Sequence, residues 1–87
     1  MNRSKRIKKI LNNQFSDFDI IITDNSHLHK GHNNFTGEKG THIAIKLNAK
    51  TKIKVNRLDI HKKINLLLEE EFNSGLHSLE INITLFD

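Results

Sequence analysis

The sequence contains no cysteine, proline, tryptophan or tyrosine. Without cysteine, the chain can form neither a disulfide framework nor a metal site made from its own thiolates. Disulfides are typical of oxidising compartments, so their absence favours a reducing, cytoplasmic location. No apolar run approaches the roughly 18 residues needed to span a bilayer, and the basic N-terminus lacks the apolar segment of a secretory signal. We therefore expect no membrane span and no covalent cross-links.

The chain has 87 residues and a net charge of +4, and its charges are unevenly distributed. A chain of this length fits one domain, which we expect to span residues 1–87. Basic residues dominate segments 1–9 and 50–63, whereas acidic residues collect at 69–71. Such a field can attract polyanions, but solvated surface charge on a small protein explains the same pattern. Charge alone therefore leaves nucleic-acid binding open.

Alternating apolar and polar residues predict three β-strands, over residues 17–23, 41–48 and 77–85. In each of them the apolar side chains share one face, which we expect to cover a core. His77 has the parity of the apolar face but stands at the start of its strand. We therefore expect it at the rim of the sheet rather than in its middle.

Apolar residues at helical spacing predict two helices. The first is expected over residues 5–13 with Ser4 as its N-cap, and the second begins after Asn56 and ends at Gly75. The first two strands should be antiparallel, and the crossover through the second helix should make the second and third strands parallel. The sequence therefore predicts an α+β fold, a two-layer α-β-β-α-β sandwich with a three-stranded mixed sheet.

A long polar segment, residues 25–40, joins the first two strands and contains the stretch "SHLHKGH". A loop of this length in a small domain is usually functional or mobile. Its histidines, His27, His29 and His32, could hold zinc or nickel, but a fourth ligand is unspecified. Solvated loop histidines are the alternative interpretation.

Four motifs in the right order resemble the BolA family. "DNSHLHKGH" precedes "THIAI", which is followed by "IHKKI" on the second helix and by "GLHSL" at the start of the last strand. The resemblance covers about residues 5–84. It implies an α-β-β-α-β fold related to class II KH domains, in agreement with the order that periodicity predicts. A single BolA-like domain would account for the chain.

The resemblance also implies a partner and a cofactor. BolA-like proteins pair with monothiol glutaredoxins and share a [2Fe–2S] cluster, for which the glutaredoxin and glutathione supply thiolates. By motif position, the resemblance assigns the other metal ligands to His77 and to His29 in the loop, with His27, His32 and His42 as nearby alternatives. Imidazole can replace thiolate on one iron of such a cluster. We therefore expect a heterodimer with the glutaredoxin, a monomer or weak homodimer alone, and a role in iron–sulfur cluster assembly or iron homeostasis.

The basic surface carries the alternative function. Where the BolA family has an arginine-flanked helix start, this chain has Ile60-His61-Lys62, and Lys does not replace Arg in bidentate contacts. Arg57, His61, Lys62 and Lys63 form a candidate surface for DNA or a protein partner. The alternative is therefore a DNA-binding transcriptional regulator with a KH-like surface. No paired carboxylates or activated nucleophile indicate catalysis, so we expect no enzyme activity.

Overall fold

The computed structural model describes residues 2–26 and 40–86, and its elements follow the predicted order. In chain order they are α1 (Arg3–Gln14), β1 (Phe18–Asp24), β2 (His42–Ala49), α2 (Arg57–Leu67), α3 (Glu69–Asn73) and β3 (Ser78–Thr84). The three predicted strands are confirmed, with bounds within one residue of the prediction. None of the helices in these residues has the length and apolarity of a bilayer-spanning helix.

The sheet has three strands in the order β1-β2-β3, with β2 in the centre. β1 pairs antiparallel with β2, and Ile20 lies opposite Leu47. β2 pairs parallel with β3, and Ile45 lies opposite Ile81. These pairings confirm the mixed sheet and the α+β class. Because β2 and β3 are parallel, both begin at the same end of the sheet.

One face of the sheet and the inner sides of the helices form a single hydrophobic core. Ile45 and Leu47 of β2 are fully buried, as are Ile7 and Leu11 of α1 and Ile64 of α2. The alternation within the strands explains this arrangement, since every second side chain points to the same face. Burial of each large apolar side chain stabilises the fold by about 1.5–3 kcal/mol. The helices therefore form one layer and the sheet the other, as predicted.

Helix α1 begins earlier than predicted. Its N-cap is Asn2, whose Oδ1 accepts a hydrogen bond from the backbone N–H of Lys5 at 2.9 Å. Asn and Ser are similarly good N-caps, so the prediction of Ser4 was wrong because an equivalent cap precedes it. For α2 the predicted cap is confirmed, since the side chain of Asn56 accepts hydrogen bonds from two backbone N–H groups of the first turn.

The long second helix predicted from the sequence is interrupted at Leu68. This residue has φ −101° and ψ 13°, and its N–H is shared between the carbonyls of Ile64 and Leu66, so α2 ends before it and α3 begins after it. The buried side of the helical segment continues through the interruption, because Leu68 and Glu71 are both buried. The apolar spacing was therefore read correctly, and only the continuity of the helix was wrong.

Candidate metal centre

Two histidines from distant parts of the sequence lie side by side where β2 and β3 begin. His42 is the first residue of β2, and His77 immediately precedes β3. The parallel register places His42 opposite Ser78, and the backbone N–H of His77 donates to the carbonyl of Thr41 at 2.8 Å. The two imidazole rings are stacked, with centroids 6.2 Å apart and planes 10° apart. We call His42 and His77 the histidine pair.

The two rings of the histidine pair differ in exposure. His77 is exposed at the rim of the sheet, where the sequence placed it. His42 is half-buried, and its Nδ1 lies 3.0 Å from the hydroxyl oxygen of Thr41. The contact with Thr41 holds the His42 ring in one orientation, and the His77 ring stacks on it. The pair therefore combines a held ring with an accessible one.

Asp24 and Ser26 connect the two ends of the histidine-rich segment. Asp24 Oδ1 accepts hydrogen bonds from the Ser26 hydroxyl and, at 2.9 Å, from the Ser26 backbone N–H. Asp24 Oδ2 accepts from the N–H of Gly40 at 2.8 Å. Ser26 Oγ in turn accepts from the N–H groups of Thr41 and His42, at 3.0 and 3.2 Å. The chain therefore leaves the described region at Ser26 and re-enters it at Gly40, next to the histidine pair.

The loop candidates His27, His29 and His32 lie outside the residues that the structure describes. Their assignment as metal ligands, or as solvated residues, stays a prediction. Among residues 2–26 and 40–86, no three His, Cys, Asp or Glu side chains gather closely enough to hold a metal ion. Of the five histidines considered as ligands, the structure therefore describes His42 and His77 and brings these two together.

A buried ion cluster lies at the same end of the sheet. Glu71 of α3 accepts hydrogen bonds from Arg3 Nε at 2.9 Å and from Arg6 Nε and Nη2 at 3.0 and 2.9 Å. The side chains of Arg3 and Glu71 are only 12% and 10% exposed. Hydrogen bonding from Arg6 lowers the pKa of the Glu71 carboxyl below its ordinary value, against the effect of burial and with further lowering by Arg3. The hydrogen bond with Glu71 raises the pKa of Arg6, so this ion pair stays charged.

Sequence reasoning missed this ion cluster. It treated Arg3 and Arg6 as part of a basic segment and Glu71 as part of a separate acidic one. A signal was nevertheless present, because Glu71 follows Ile64 and Leu68 at the spacing of the buried helical stripe. A carboxylate in an apolar stripe needs a charged partner, since burying an unpaired charge is very unfavourable.

The predicted DNA or partner surface lies on α2. Arg57, Lys62 and Lys63 are exposed there, and His61 is half-buried. The Nζ atom of Lys63 lies 5.4 Å from the centroid of the Phe15 ring, a distance at which a cation is attracted to an aromatic face. The chain enters α2 from the far end of β2, so this surface begins at the end of the sheet opposite the histidine pair.

Comparison with known proteins identifies similar sequences over nearly the whole chain. A family model described as BolA-like protein matches residues 2–85. Over 82 residues the chain is 32% identical to a curated protein of Arabidopsis thaliana named "Protein BOLA1, chloroplastic". The alignment covers 92% of this chain and 51% of that protein, so the chain spans about half of its length.

Solved structures with the same architecture come from the same plant. BolA1 from Arabidopsis thaliana superposes with a TM-score of 0.77 at 29% identity, covering 98% of this chain and 93% of that one. The BolA domain of SufE1 from Arabidopsis thaliana gives a TM-score of 0.78 at 26% identity, with the same coverage of 98% and 93%. The fold described above is therefore shared along its full length with these two structures.

Proposed function

This chain belongs to the BolA-like protein family, and from that premise we propose that it pairs with a monothiol glutaredoxin to bind or transfer a [2Fe–2S] cluster. In this proposal it is a carrier in iron–sulfur cluster assembly or iron homeostasis, and not an enzyme. The observation that carries the proposal is the histidine pair. It offers an accessible imidazole on a backbone fixed by hydrogen bonds, next to the two ends of the histidine-rich segment.

The donor set of the chain fits a shared cluster. Such a cluster needs four protein or cofactor ligands, and this chain has no thiolate to give. Imidazole can stand in for two of the four thiolates on one iron, as it does in Rieske centres. The glutaredoxin cysteine and glutathione would supply the two sulfur ligands, and histidines of this chain would supply the other two. The cluster, when bound, supplies the electron-transfer and iron-delivery chemistry.

His77 would be the ligand supplied from the sheet. The lone pair of an imidazole nitrogen lies in the plane of its ring, so two stacked rings do not direct their lone pairs at one iron. In the observed arrangement His42 therefore supports the His77 ring by stacking and is not the second ligand. His29, which the family pattern places in the loop, is proposed as the second ligand, with His27 and His32 as its alternatives.

The experiment is to mix the chain with a monothiol glutaredoxin that carries its glutathione-bound [2Fe–2S] cluster. We expect a 1:1 complex by size-exclusion chromatography with light scattering, and a changed visible absorption and circular dichroism spectrum. His77→Ala should abolish the spectral change and His29→Ala should weaken it. His61→Ala is the matched control on the other end of the molecule and should behave as wild type. An unchanged spectrum with wild-type chain would remove the proposal.

A His77→Cys variant tests ligation more directly than loss of binding does. A thiolate at this position should still bind iron, but it adds negative charge to the cluster, and clusters with imidazole ligands have higher potentials than those with thiolates alone. We therefore expect the variant to retain the cluster and to lower its reduction potential. Retention with an unaltered potential would show that residue 77 is not a ligand.

The proposed compartment is the cytoplasm, which rests on the absence of cysteine from the sequence. The Arabidopsis relative is named as chloroplastic, and both compartments keep thiols reduced enough for a glutaredoxin partner. Detection of the tagged chain in cell fractions, beside its glutaredoxin, decides between them.

DNA binding is the second candidate function, and one observation favours it. Arg57, Lys62 and Lys63 are exposed on α2, where they can reach a polyanion without disturbing the core. Phosphate contacts of this kind would release counterions, so the affinity should fall steeply as salt is raised. This candidate uses the end of the molecule opposite the histidine pair and is therefore independent of cluster binding.

A further inference from the structure

Arg3 uses its guanidinium group to join three parts of the chain. Its Nε donates to Glu71 Oε1 at 2.9 Å, and its Nη1 donates to the carbonyl of Gly40 at 2.6 Å. Its Nη2 donates to the carbonyl of Ser74 at 2.9 Å and to the Ser74 hydroxyl at 3.2 Å. The side chain is 12% exposed. We call this set of contacts the Arg3 clamp.

Two glycines allow the backbone to approach the Arg3 clamp closely. Gly40 has φ +83° and Gly75 has φ +129°, values that L-residues rarely adopt. A Cβ atom on Gly40 would lie 3.2 Å from both Cβ and Nη1 of Arg3, and one on Gly75 would lie 3.3 Å from Nη2 of Arg3. Both backbone segments are therefore packed against the same guanidinium group.

These two segments lead directly to the histidine pair. Gly40 precedes Thr41 and His42, and its own N–H is held by Asp24 at 2.8 Å. Ser74 and Gly75 lead through the buried Leu76 to His77. The Arg3 clamp thus fixes the backbone on both approaches to the pair, one at the end of the histidine-rich segment and the other at the start of β3.

We propose that Arg3 is a positioning residue for the metal ligands, because its clamp sets the His77 ring relative to His42 and to the C-terminal end of the histidine-rich segment. The inference rests on the proposed cluster-binding function. It requires the planar five-donor fork of arginine, since a lysine ammonium keeps the charge but cannot reach Glu71, Gly40 and Ser74 together. Arg3 does not itself touch the metal.

The alternative is that Arg3 only stabilises the fold. Arg6 provides the matched control, because it also donates two hydrogen bonds to Glu71. Neither Gly40 nor Ser74 accepts a hydrogen bond from Arg6 within the described residues. Arg6→Lys therefore weakens the same ion cluster without removing the contacts that lead to the histidine pair. Arg3→Lys weakens both.

The first measurement uses the isolated chain. The imidazole proton chemical shifts of His42 and His77 report their stacking, and a stability-only role for Arg3 would leave them in place in any variant that folds. We expect Arg3→Lys to move both sets of shifts toward those of unstacked histidine and Arg6→Lys to leave them unchanged. Should Arg3→Lys fail to fold, Gly40→Ala displaces the guanidinium from the loop end while keeping Glu71 and both arginines. Unchanged ring shifts in the folded variant overturn the inference.

The second measurement uses the complex with the cluster-loaded glutaredoxin. Residues that orient metal ligands typically change metal affinity by about 10–100-fold when altered, so we expect loss of the cluster to a chelator to be about 10–100-fold faster with Arg3→Lys than with Arg6→Lys. Equal rates for the two variants, with a normal wild-type complex, overturn the inference and leave the proposed function standing. A wild-type chain that takes up no cluster, together with altered ring shifts in Arg3→Lys, removes the proposed function and keeps the positioning of the pair.

Discussion

Where β2 and β3 begin, polar side chains are buried or half-buried and each makes several hydrogen bonds, whereas where β2 ends the charged side chains are exposed. At the first end, Ser26 is 2% exposed and its hydroxyl group bonds Asp24 and two backbone N–H groups. At the second end, Lys50 and Asp19 approach only to 4.0 Å, with side chains 51% and 71% exposed. The two ends of one small sheet thus follow different physical rules.

The difference indicates what each end is suited to do. Side chains locked by packing and hydrogen bonds hold a ligand in one geometry, which metal coordination requires. Exposed ion pairs contribute little to stability, but exposed like charges act at a distance on a charged partner and are weakened by salt. We therefore place the precise chemistry at the histidine end and long-range attraction at the basic end.

The largest expected effect comes from Glu71→Gln, which breaks the ion cluster at the histidine end. Removing the carboxylate leaves Arg3 charged and largely buried without its partner, and breaking a buried ion pair in this way costs about 3 kcal/mol. Urea unfolding followed by far-ultraviolet circular dichroism measures the loss. Glu70→Gln is the matched control, because Glu70 is exposed and should change the unfolding free energy by less than about 0.5 kcal/mol. Equal effects of the two variants would erase the contrast between held and exposed charges.

Acidification examines the same carboxylate without relying on the loss of a contact. The pKa of Glu71 is lowered in the folded chain, so the unfolded chain takes up this proton at a higher pH than the folded chain does. The stabilisation is therefore complete above the ordinary carboxyl pKa of about 4.3 and is lost as pH falls through the lowered folded value. Wild type should lose more unfolding free energy on acidification than Glu71→Gln does, and parallel curves would contradict this assignment.

A smaller effect is expected from Ser26→Ala, which removes the hydroxyl that joins β1 to the start of β2. The N–H groups of Thr41 and His42 would each lose an acceptor in a buried place, and we expect a loss of about 2 kcal/mol in unfolding free energy. Ser78→Ala, at the exposed position opposite His42, is the control and should be close to neutral. A neutral Ser26→Ala would mean that the histidine end is not held through this hydroxyl.

The smallest change in stability is expected at the basic end, from the double variant Lys62→Gln and Lys63→Gln. Both lysines are exposed, so the unfolding free energy should change by less than about 0.5 kcal/mol. DNA binding, measured by fluorescence anisotropy, should lose salt dependence by about 0.9 in log K per log salt for each phosphate contact removed. His77→Ala should bind DNA as wild type does. A wild-type chain without measurable affinity at low salt would eliminate the second candidate function.

Much of the fold could be predicted because its signals are local. Alternation predicted all three strands, and the spacing of Ile60, Ile64 and Leu68 predicted the buried side of the second helical segment. The position of Asn56 before a helical pattern identified its cap. The missed features are those in which equivalent local choices compete, such as Asn2 against Ser4, or in which the backbone changes conformation without Gly or Pro, as at Leu68.

The candidate site could be predicted only in part, because its contacts join residues far apart in the sequence. The motif around His77 indicated a rim position, and the structure adds that His42 stacks on it. Asp24-Asn25-Ser26 resembles a simple strand end in sequence, although an Asp side chain that bonds the backbone two residues on is a known turn signal. That Asp24 also reaches Gly40 depends on the parallel and antiparallel register, which no single segment reveals.

The parallel pairing of β2 with β3 has a consequence for when the histidine pair can exist. The two strands are neighbours in the sheet, but α2 and α3 separate them along the chain. Contacts between such remote segments carry a large loop-closure entropy and form late. A nascent chain, or one whose last strand has detached, displays only two unrelated imidazoles. The stacked rings therefore serve as a built-in mark of maturity, which a metal or a partner meets only on a finished molecule.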